Sequence, residues 1–207
     1  MERYKYILFD FDGTVADSKP VVLSVYNELA ARRGYTKIEA YNIDKLRSLS
    51  IKSRCRELNV PLYKIPFIAA YVIKQYGKSL HQLTFNPGVE DLLGNLTKEG
   101  ISYAILSTNA VRNISGFFQL QNLSCPEIYT SSKVFGKHRL MKKFLKQKKF
   151  QPNEVLYVGD ELRDIIACRK CGIPVAWAAW GYDAPEALTA NPPDYVLNNP
   201  EDLLQII

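Results

Sequence analysis

Residues 6–14 read YILFDFDGT. The apolar run predicts a short buried strand over residues 6–11, and Asp12-Gly13 signals a turn at its carboxyl end. Two later stretches repeat the form. Residues 101–109, ISYAILSTN, predict a strand over 102–106 that ends at Ser107-Thr108-Asn109. Residues 154–164, EVLYVGDELRD, predict a strand over 155–158 that ends at Gly159-Asp160. Around them the periodicity predicts helices over 87–98, 110–120, 137–148 and 161–171, and strands over 127–130, 175–177 and 195–197. A short helical turn near 184–190 and a helix over 200–206 close the chain. Strands that alternate with helices and are apolar almost throughout argue for an α/β fold, a parallel sheet covered on both faces. Ligands of such sheets sit beyond the carboxyl ends of the strands, where strand order reverses. Asp10, Asp12, Thr108, Asn109, Asp160 and Asp164 are the polar residues expected there.

Residues 19–83 have another texture. Val21, Val22, Val25, Leu29 and Ala30 share one helical face, and Phe67, Ile68, Tyr71, Val72 and Gln75 repeat the pattern. Pro61 and Pro66 interrupt it, so three or four short helices are expected and no strand.

The chain has 207 residues, 47% hydrophobic and 23% charged, which suits one folded domain, or one with a modest insertion, and excludes wholesale disorder. Its longest apolar run, residues 65–73, is well short of the roughly 20 residues of a membrane span. Neither a signal nor a transit peptide is evident, so a cytoplasmic protein with no membrane partner is expected. The net charge of +6 is local: residues 133–149 hold eight basic residues and no acidic one, and the remainder has 19 basic against 21 acidic. Nucleic acid is therefore not the expected partner. Cys55, Cys125, Cys168 and Cys171 read as reduced thiols.

Asp10 and Asp12 stand two apart on a strand and emerge on one face, while Asp160 and Asp164 follow a second strand. If the strands are neighbours, three or four carboxylates converge. Two bare charges at 4 Å repel by about 4 kcal/mol even at an effective dielectric of 20, so the group needs a cation. Oxygen ligands without His or Cys point to Mg²⁺. Helix capping is the competing reading for any one of these acids. Gly13 and Thr14 form a turn whose amides suit an anion, Thr108 adds a hydroxyl and Lys137 a positive charge. Three carboxylates, one Lys and one Mg²⁺ sum to about zero, and a phosphate dianion could enter such a site. Asp10 is then the nucleophile, and Asp12 the acid that protonates the leaving alcohol and later activates water.

These residues resemble the haloacid dehalogenase-like hydrolase superfamily. FDFDGT (residues 9–14), ILSTN (105–109), Gly136-Lys137 and GDELRD (159–164) look like its four motifs in order. The chain is similar to the phosphoglycolate phosphatase branch in Val15-Ala16-Asp17-Ser18, Pro87-Gly88-Val89, Trp180-Gly181-Tyr182 and Pro193-Asp194-Tyr195. The resemblance implies a three-layer Rossmann-like core of residues 1–18 and 84–207, and an all-helical C1 cap of residues 19–83 inserted after the first strand. It implies a magnesium-dependent phosphatase of a small phosphorylated metabolite, monomer or homodimer, with phosphoglycolate leading and nucleotide or sugar phosphates as alternatives. Phosphomutase chemistry on the same core and a non-catalytic binding protein of the same fold are the other rivals. By position it makes Asp10 the nucleophile and Asp12 the acid/base. Gly13, Thr108, Asn109 and Lys137 would meet the substrate. Metal ligands would be Asp10, the Asp12 carbonyl and Asp160, with Asp164 nearby. Lys133 competes with Lys137, and Ser107 with Thr108. In the cap, Arg47, Lys52, Arg54 and Arg56 are candidates for a substrate carboxylate. Cys168-x-x-Cys171, His81, His138 and the Lys-rich helix read as structural.

Overall fold

The computed structural model describes residues 4–131 and 136–207. Tyr6–Phe9 forms β1, four fully buried residues, and lies at the centre of a six-stranded sheet. Ser102–Ser107 (β4) pairs with it on one side and Val155–Gly159 (β6) on the other, both parallel. Glu127–Thr130 (β5) extends the sheet beyond β4, while Val175–Ala178 (β7) and Tyr195–Leu197 (β8) extend it beyond β6. The order β5-β4-β1-β6-β7-β8 reverses direction at β1. Phe9 is level with Ile105 and Val158, so the carboxyl ends of three strands open at the same height.

Strand alternation divides the core. Ile7 and Phe9 pack with Leu92 and Leu96 of α5 (Val89–Lys98) and Ile114 and Phe117 of α6 (Val111–Leu120). Tyr6 and Leu8 face the opposite side with Met141 and Phe144 of α7 (Lys137–Lys148) and Ile165 and Cys168 of α8 (Leu162–Arg169). The segments expected near 184–190 and 200–206 are 3-10 turns, Pro185–Leu188 and Pro200–Gln205.

Between β1 and β4 the chain makes α1 (Lys19–Arg33), α2 (Ile43–Arg47), α3 (Ile51–Glu57) and α4 (Ile65–Tyr76). They share a small core of Tyr26, Ala30, Leu46, Cys55, Leu58 and Val60. Two strands went unread in the sequence: β2 (Ala16–Asp17) and β3 (Thr84–Phe85) pair antiparallel where the helices join the sheet. Two residues are too few to carry a period-2 pattern. The first strand is also shorter than expected, since Asp10 and Phe11 lie beyond it. Among the described residues no helix is long and apolar enough to cross a membrane.

Candidate active site

Asp10 leaves β1 at the point where the neighbouring strands end. Its Oδ1 accepts the Phe11 N–H at 2.8 Å and its Oδ2 accepts Lys137 Nζ at 2.5 Å. Lys137, the first residue of α7, is 2% exposed and gives its other protons to Asp164 Oδ1 at 2.6 Å and the Tyr157 hydroxyl at 2.9 Å. All three ammonium protons are thus engaged by the protein. Asp160, directly after β6, accepts the Thr14 hydroxyl on Oδ1 and the Tyr182 N–H on Oδ2, each at 2.7 Å. Asp164 also caps its own helix, its Oδ2 accepting the Glu161 N–H at 3.4 Å.

One ligand oxygen from each of Asp10, Asp160 and Asp164 lies within 4.8 Å of the others. Burial, and then the charges of Glu161, Asp10 and Asp164, push Asp160 well above the usual carboxylate range. Asp164 is pushed up to about 7, burial again leading, with Lys137 and Arg163 working against it. Burial disfavours the charge on Lys137, yet Asp10 and Asp164 hold it firmly protonated. Three buried carboxylates against one ammonium leave the cluster short of positive charge. A hard divalent cation with oxygen ligands fits that deficit.

The Asp12 carboxylate is not a member of this trio. It turns toward the loop before α6, where Asn109 Nδ2 donates to its Oδ2 at 3.0 Å, and burial followed by the charge of Asp10 pushes it up to about 6. Asn109, expected at the substrate, gives an amide proton to Asp12. Gly13 was expected to offer its amide to an anion, but that N–H closes the turn on Ala16 O at 2.9 Å. The turn needs glycine for other reasons. Its φ is +79°, and a Cβ there would meet the Tyr182 ring and the Asp160 carboxylate. Ser107, the rival of Thr108, is buried and its hydroxyl accepts the Asn109 N–H at 3.1 Å. Lys133 lies outside the described residues.

Thr108 and Asp12 border a cavity of about 330 Å³ roofed by apolar residues of α1, α3 and α4, among them Val22, Ile51, Ile68 and Val72. Of the four basic candidates in the helical segment, Arg54 borders this cavity, and it pairs with Asp183. Arg47 instead donates to the Tyr182 and Gly181 carbonyls, Lys52 borders a neighbouring cavity of about 440 Å³, and Arg56 is exposed. Two tryptophans contribute to the site although the sequence assigned them no role in it. Trp177 Nε1 donates to Asp160 O and Trp180 Nε1 to Thr14 O, so two indoles clamp the backbone of the site. Cys168 and Cys171 are free thiols, the first buried in the core beneath α8.

A family model for haloacid dehalogenase-like hydrolases matches residues 7–178. The chain is 34% identical to a phosphoglycolate phosphatase of Synechococcus elongatus, over 97% of this chain and 96% of that one. It is 24% identical to an N-acetylmuramic acid 6-phosphate phosphatase of Pseudomonas aeruginosa, over 99% and 95% of the two chains. A solved haloacid dehalogenase-like hydrolase from Streptococcus pneumoniae superimposes with a TM-score of 0.74 at 22% identity, over 98% and 97% of the chains.

Proposed function

Since the chain belongs to the haloacid dehalogenase-like hydrolase family, we propose that it is a phosphatase that transfers the phosphoryl group of a small phosphorylated metabolite to Asp10 and then to water. The observation that carries this reading is the contact of Lys137 with Asp10 and Asp164, within a buried trio that Asp160 completes beside the cavity bordered by Asp12 and Thr108.

Asp10 Oδ attacks phosphorus, the bond to the ester oxygen breaks, and Asp12 gives its proton to the leaving alcohol. A water then attacks the phosphorus of the aspartyl phosphate while Asp12 takes its proton; the bond from phosphorus to Asp10 breaks, inorganic phosphate leaves, and Asp10 is again a carboxylate and Asp12 again an acid. A raised Asp12 suits both roles, because a carboxyl near pH 6 is a usable acid and, once ionised, a usable base. Lys137 fixes the Asp10 carboxylate, and Thr108, which borders the cavity, donates its hydroxyl to the phosphoryl oxygens. Mg²⁺ would be held by Asp10, Asp160 and Asp164, with the Asp12 carbonyl, and supplies positive charge against the phosphoryl oxygens when bound. Residues 19–83 act as a cap that closes over the substrate, with the β2–β3 ribbon at the joint.

Phosphoglycolate is the first substrate to test. The 34% identical relative carries that name. The cavity is larger than a two-carbon acid needs, which favours a larger phosphorylated acid or sugar as the second reading. The experiment is hydrolysis of p-nitrophenyl phosphate with Mg²⁺, with EDTA and by Asp10→Asn, followed by a metabolite panel. Turnover that is lost in EDTA and in Asp10→Asn is expected; full activity in Asp10→Asn would refute the mechanism.

A further inference from the structure

The hydrogen bonds behind Asp12 lead away from the sheet to the helical segment. From them we infer that Asn113 is a positioning residue for Asp12, tying the orientation of that carboxylate to the docking of α4. The inference rests on the reading of Asp12 as the acid that protonates the leaving group.

Asn113, on the first turn of α6, is 1% exposed and belongs to neither the family motifs nor the acidic trio. Its Nδ2 donates to Asn109 Oδ1 at 2.8 Å and to the Ile73 carbonyl at 3.0 Å. Ile73 lies in the last turn of α4, where a carbonyl has no intrahelical donor, so Asn113 supplies one. Asn109 Oδ1 also accepts the Ala110 N–H at 2.7 Å, which leaves Asn109 Nδ2 to face Asp12 Oδ2 at 3.0 Å. Reversing either amide would set acceptor against acceptor, so the chain fixes the orientation of both. The other oxygen of Asp12, Oδ1, is buried with no hydrogen-bond partner among the described residues. The Tyr76 and Ser18 hydroxyls also face the carboxylate, and its amide donor, Asn109, is held in turn by Asn113 and the end of α4. Tyr76, the last residue of α4, is buried close enough that the charge of Asp12, after burial itself, raises its phenol.

Undocking α4 would remove one anchor of Asn113, loosen Asn109 and let the Asp12 carboxyl turn. Such a loss acts on proton delivery rather than on binding. It therefore depends on how much the departing oxygen needs a proton. Phenolate is a strong base and needs one; p-nitrophenolate leaves without it. The two rings fill the cavity almost equally, so their comparison isolates the proton.

The test measures kcat/KM for phenyl phosphate and p-nitrophenyl phosphate with the full chain and Mg²⁺, in wild type, Asn113→Ala, Gly77→Ala and Asp12→Asn. A Cβ at Gly77 would stand 2.8 Å from Asn113 Oδ1, so Gly77→Ala shifts the amide without deleting it and decides the matter should Asn113→Ala fail to fold. In the positioning variants phenyl phosphate is expected to fall about tenfold, the weight of one charge-assisted hydrogen bond, and p-nitrophenyl phosphate by less than about threefold. A fall by the same factor on both substrates, or no fall on either, overturns the inference. Asp12→Asn separates the two claims. Its loss should be larger and equally selective, and a uniform loss there overturns the acid role of Asp12 and the inference with it. Selective loss in Asp12→Asn alone overturns only the role of Asn113.

Discussion

Lys137→Met removes a charge while leaving a side chain of similar length in the same buried slot. Lys137 is 2% exposed and in contact with Asp10 and Asp164, so the change removes the ammonium that meets two of the three buried carboxylates. Two unit charges 4.8 Å apart repel by about 3.5 kcal/mol at an effective dielectric near 20. Removing one partner of a buried ion pair costs about 3–5 kcal/mol. Apolar packing of Met and protonation of Asp164, already pushed up to about 7, offset part of this. A net loss of about 3 kcal/mol, at about 2–4 °C per kcal/mol for a chain of this size, lowers the melting temperature in EDTA by about 6–12 °C. The assay is thermal unfolding by circular dichroism, in EDTA and then with Mg²⁺. The variant should gain more from Mg²⁺ than wild type does, because the ion meets one more uncompensated charge. Adding Asp10→Asn to Lys137→Met should recover part of the loss, a coupling that a double-mutant cycle measures. A melting temperature in EDTA within about 2 °C of wild type would refute the account, since the ammonium would then not be what neutralises the trio.

Gly181→Ala tests the seat of Asp160. A Cβ at Gly181 would overlap the Asp160 side chain, so Mn²⁺ affinity measured by calorimetry should fall by about tenfold or more with far-ultraviolet circular dichroism unchanged, and unchanged affinity would contradict it. Asp183→Ala tests the clasp between the helical segment and the sheet. Asp183 joins Arg54 through one oxygen and caps α8 at the Leu162 N–H through the other, at 2.7 Å, so a loss of about 1–3 kcal/mol and faster amide exchange across α3 are expected, and unaltered exchange in α3 would show the clasp to be idle.

Local chemistry fixed much of this protein in advance. The strand after strand of apolar residues ending in Asp, Ser-Thr-Asn or Gly-Asp specified a parallel sheet and named the end at which its chemistry sits. Asp10, Asp160, Asp164 and Lys137 were legible because charges in those positions make sense only together, and the sheet order brings them together. What the chain could not announce were relations between residues that are ordinary one at a time. Asp10 and Asp12, two apart, part company once Asp10 leaves the strand, and one joins the trio while the other is claimed by Asn109. Gly13 loses its amide to a turn of its own, and Thr14, Tyr182 and two tryptophans become supports of Asp160 and its surroundings across as many as 166 residues of chain. The docking of α4 on Asn113 is of the same kind. A hydrogen bond to a helix-end carbonyl depends on where two helices meet, and only packing of the whole chain decides that.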